Sequence, residues 1–136
     1  MKNYMIRLGA LTFEGRSSIP TVEVFVEAPE GDQKLVGYMT PFRGYRIQIS
    51  ATKDGNMDLG ASPVVAFYRD QLPIENASIW LKGQIIMALL SFCNNRYGSE
   101  AAAGNVIRIP DYNIIDKDFE VMQEFIKESI GWIRKH

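Results

Sequence analysis

Apolar and polar positions alternate through the first half of the chain. Tyr4, Ile6 and Leu8 take turns with Met5, Arg7 and Gly9. Val22, Val24 and Val26 take turns with Thr21, Glu23, Phe25 and Glu27, and Tyr45, Ile47 and Ile49 with Arg46, Gln48 and Ser50. A period of two, apolar on one side and polar on the other, predicts the strands of a half-solvated antiparallel sheet. Turn-forming residues separate these runs: Glu14-Gly15-Arg16-Ser17-Ser18, then Pro29-Glu30-Gly31-Asp32, then Pro41-Phe42-Arg43-Gly44, then Lys53-Asp54-Gly55-Asn56. A further run covers Lys34–Thr40, and Val64–Arg69, rich in β-branched and aromatic residues, predicts another strand. The pattern is a meander of four to six strands.

The second half changes period. A helix fits Ala77 to about Arg96, with Asn76 or Ser78 at its start and Gly98 just past its end. Gln84, Ser91 and Asn95 make one narrow polar stripe on it. Ile79, Leu81, Ile85, Ile86, Leu89, Leu90, Phe92 and Cys93 fill most of the remainder, which predicts burial nearly all round. The stretch from Gly98 to Gly104 reads as a loop, and Val106–Ile109 as a short strand closed by Pro110. A last helix carries Phe119, Met122, Phe125, Ile126, Ile130 and Ile133 on one face, with Val121 and Trp132 at its margin. Its other face holds Glu120, Gln123, Glu124, Lys127, Glu128 and Arg134. Asp116 and Asp118 complement the positive end of its dipole, and Arg134 and Lys135 the negative end. The expectation is one α+β domain spanning 1–136: an antiparallel meander followed by two helices packed on one face.

Composition narrows the chemistry. With 136 residues and 15.4 kDa, the chain is the size of one ordinary domain. Fifteen Lys plus Arg against 16 Asp plus Glu give a net charge of -1, which supplies no long-range attraction to phosphate. One cysteine excludes an intramolecular disulfide and any zinc site built from several cysteines. The opening run Met1–Arg7 does not read as a secretory signal, because Arg7 interrupts it and no small-residue cleavage site follows. The longest nearly apolar stretch, Ile85–Leu90, is far short of the ~20 residues that span a bilayer. A cytoplasmic protein with no cofactor and no membrane association is expected.

Candidate catalytic groups are few. The one histidine, His136, is the last residue, where no third group is expected to orient it as a catalytic triad requires. Cys93 falls on the apolar side of its helix and reads as a small core residue with a raised pKa. Asp54, Asn56 and Asp58 occupy the first, third and fifth places of a calcium loop. Leu59 and Val65 then stand where that loop needs glycine and glutamate, so a hairpin tip is expected instead. Asp70 and Asp111, each at a strand end beside aromatic residues, are the pair that a carboxylate-based enzyme would use. No phosphate-binding glycine motif occurs.

Recognition of a macromolecule is the better-supported class. Phe25 stands on the polar side of its strand, between Glu23 and Glu27, and Phe42, Arg43, Tyr45, Arg46 and Arg69 add rings and guanidinium groups to the sheet half. Aromatic residues and arginines are the side chains that anchor protein interfaces. The expected function is non-catalytic binding of a protein partner, of the kind performed by immunity, inhibitor or accessory proteins. The alternative is a nucleic-acid-associated module using the same rings and arginines. Arg43-Gly44-Tyr45 matches the first three places of an RNA-recognition strand motif, but Arg46 stands where Gly or Ala belongs and no aromatic follows. An enzyme is the third class, supported by no motif.

Overall fold

The computed structural model describes residues 4–28, 30–42, 46–53, 64–66, 83–93, 112–114 and 116–136. Their order is β1 (Tyr4–Leu8), β2 (Thr12–Glu14), β3 (Ile19–Glu27), β4 (Gln33–Phe42), β5 (Arg46–Ser50), β6 (Val64–Ala66), α1 (83–93), β7 (Tyr112–Ile114) and α2 (Asp116–Lys135). The strands form one sheet in the order β6-β5-β4-β3-β1-β7, with β2 paired to the start of β3. The path β6-β5-β4-β3-β1 is antiparallel throughout, and its five strands fall within the expected four to six. Two helices follow it and pack on one face, so the α+β expectation holds.

The alternating residues explain the arrangement. Ile6 and Leu8, Val22, Val24 and Val26, Met39, and Ile47 and Ile49 all turn to the inner face and are buried. Ile85, Leu89, Phe92 and Cys93 of α1 meet them, together with Met122, Phe125, Ile126, Ile130 and Ile133 of α2. Each such side chain contributes about 1.5–3 kcal/mol when removed from water, and this burial is what holds the two layers together. Gly37 lets the layers approach. A Cβ built there would lie 2.6 Å from Phe92 Cε1 and Cζ and 2.6 Å from the carbonyl oxygen of Ser50.

Several local features depart from the sequence pattern. The parallel strand β7, paired to β1 through Tyr4↔Tyr112 and Ile6↔Ile114, is not among the expected elements, while the expected strand at Val106–Ile109 lies outside the described residues. β2 was not marked by any alternation, being three residues long. β5 is buried on both sides: Gln48 and Ser50 are buried along with Ile47 and Ile49, so its polar residues do not form a solvated face. The first helix is less enclosed than its composition suggests. Over 83–93 it buries Ile85, Leu89, Phe92 and Cys93, while Ile86 and Leu90 are half-buried and Met87 is 62% exposed. Its remaining predicted turns lie outside the described residues.

Candidate functional site

Phe25 lies on the outer face of the sheet because its inward neighbours, Val24 and Val26, hold the register of β3 against the core. Arg7 of β1 faces it on one side and Leu35 of β4 on the other. The pairing with Leu35 depends on a β-bulge. Val24 pairs with Gly37 and Phe25 with Leu35, so Val36 is the extra residue. The bulge turns Leu35 outward, where it is 40% exposed. Phe25 is half-buried and leans over Gly9, whose small size leaves room for the ring edge.

Charged groups fix the ends of this row. The Arg7 Nε donates to Asp118 Oδ2 at 3.0 Å, and its Nη1 lies 3.7 Å from Glu27 Oε2. Asp118 also accepts the backbone N–H of Leu8 at 3.0 Å. Its carboxylate is buried, so the start of α2 is locked to the end of β1 by an ion pair and a charge-assisted hydrogen bond. Glu27 accepts from Gln33 Nε2 at 3.1 Å. Glu23, on the neighbouring rung, pairs in register with Tyr38, over whose ring Lys53 Nζ sits 5.9 Å from the centroid. Lys53 in turn reaches Glu14 Oε1 at 3.3 Å. The result is a small apolar step, Phe25 and Leu35, bordered by carboxylates and by a cation already held by two of them.

The other predicted residues lie elsewhere. Arg46 is half-buried and pairs in register with Phe42 and with Ala66. Seven positions of β4 separate Leu35 from Phe42, a run of about 23 Å at ~3.3 Å per residue. Phe25 and Arg46 therefore mark opposite ends of the sheet. The side chain of Phe42, and Arg43, Tyr45 and Arg69 altogether, lie outside the described residues, as do Asp70, Asp111 and the 54–58 loop. Cys93 is buried, and desolvation pushes its thiol up to about 12. His136 stacks on Trp132 with ring centroids 4.6 Å apart, and Trp132 Nε1 donates to the carbonyl of Ser17. Among the described residues, no group of three or more His, Cys, Asp or Glu is placed to hold a metal ion.

Sequence reasoning missed Leu35, Arg7 and Asp118. Leu35 sits one residue before the bulge, where strict alternation assigns it to the wrong face. Asp118 looks like an ordinary helix-start carboxylate, and only the tertiary fold brings it to Arg7, 111 positions away. No protein-family model, no curated protein and no solved structure matches this chain.

Proposed function

We propose that the chain is a non-catalytic binding protein that docks another protein on the open part of the outer sheet face. The observation that carries this reading is the Phe25–Leu35 step: two large apolar side chains side by side on the face away from the core, one half-buried and one 40% exposed. Apolar anchors framed by polar groups are the usual make-up of a protein-binding patch. The carboxylates of Glu23 and Glu27 on the flanking rungs repel phosphate, which favours a protein over a nucleic acid at this spot. Among the described residues no helix is long and apolar enough to cross a membrane. A cytoplasmic immunity, inhibitor or accessory protein fits this description at the level of protein type.

The test is a pull-down from the native host with the wild type, Phe25→Ser, Leu35→Lys and Arg46→Glu, each checked for folding by circular dichroism. Phe25→Ser and Leu35→Lys should lose the partner, and Arg46→Glu, at the far end of the sheet, should keep it. Equal recovery with Leu35→Lys overturns the assignment of the surface. Loss of every partner on nuclease treatment replaces this reading with nucleic-acid association.

A further inference from the structure

We draw no further inference here: the strongest candidate, the uncharged outward stripe of α1 around the exposed Met87, carries nothing because nothing in the structure shows what covers it.

Discussion

Gly37→Ala is expected to loosen the contact between sheet and helix. In most strand positions this change is favourable by about 0.4–1 kcal/mol, since alanine restricts the unfolded chain. Here the added methyl would lie 2.6 Å from two ring carbons of Phe92 and 2.6 Å from a backbone oxygen. Ordinary carbon contacts start near 3.5 Å, so each neighbour must give by about 1 Å. The Phe92 ring is fully buried. The Ser50 carbonyl belongs to the β4–β5 ladder and cannot withdraw without disturbing it. Overpacking of this kind costs about 1–3 kcal/mol, and with one obstacle made of backbone the upper part of that range is expected. Set against the gain in the unfolded chain, the net loss is about 2 kcal/mol. Urea unfolding followed by circular dichroism reads it as a lower midpoint at unchanged slope. Phe92→Leu in the same background removes the ring carbons but not the carbonyl. The double variant should therefore recover part of the Gly37→Ala loss, leaving a non-additive term between the two sites. A midpoint that stays or rises for Gly37→Ala would refute the close approach of α1 to β4.

Three other substitutions or measurements probe the interior. Asp118→Ala strands the Leu8 N–H and strips Arg7 of its nearer carboxylate, so a loss of about 2–4 kcal/mol is expected; Asp118→Asn, whose amide oxygen can still accept from Leu8, should lose less. Equal losses for the two variants, by thermal or urea unfolding, would mean that the Leu8 hydrogen bond contributes nothing. Ser129→Ala removes a fully buried hydroxyl without a partner among the described residues from the inner face of α2, and a gain of about 1 kcal/mol should appear as a higher urea midpoint. A lower midpoint would show that the hydroxyl is bonded. Cys93 should resist thiol reagents in the native state. As pH rises past 9.0, the unfolded thiol ionises while the folded one keeps its proton up to about 12, so stability should fall across that window in the wild type but not through this group in Cys93→Ala. Fast labelling at neutral pH would contradict its burial.

Wherever one side of an element alone meets the core, its residues announced it. Val22, Val24 and Val26 identify β3, and Phe119 to Ile133 identify α2, because a period of two or 3.6 is the direct imprint of a single buried side. The reading weakened where that condition fails. β5 is enclosed on both sides, so Gln48 and Ser50 look solvated in the sequence and are not. The Val36 bulge shifts the alternation of β4 by one, which hides Leu35, half of the proposed docking step. β2 and β7 are three residues each, too short to show a period at all. Phe25 was legible because an aromatic ring between two glutamates breaks a local rule. Its neighbours Arg7 and Leu35 were not, since cross-strand partners are set by register and not by spacing along the chain.

The parallel pairing of β1 with β7 has a temporal side. β1 leaves the ribosome well before its second neighbour, β7, is made. Leu8 and Asp118, which close the same edge, are 110 positions apart. At about 5–20 residues per second, translation leaves that edge without its partner for roughly 5–20 s. The antiparallel hairpins that follow β1 form far faster than that, so β1 meets β3 while the edge that β7 will take is still open. What guards the open side is modest: a strand of five residues carrying a cation, Arg7. Short length and a charge are the devices by which edge strands avoid pairing with other chains. Arg7 thus serves twice, first as the deterrent on an unfinished edge and then, once α2 is made, as the group that Asp118 captures to close it.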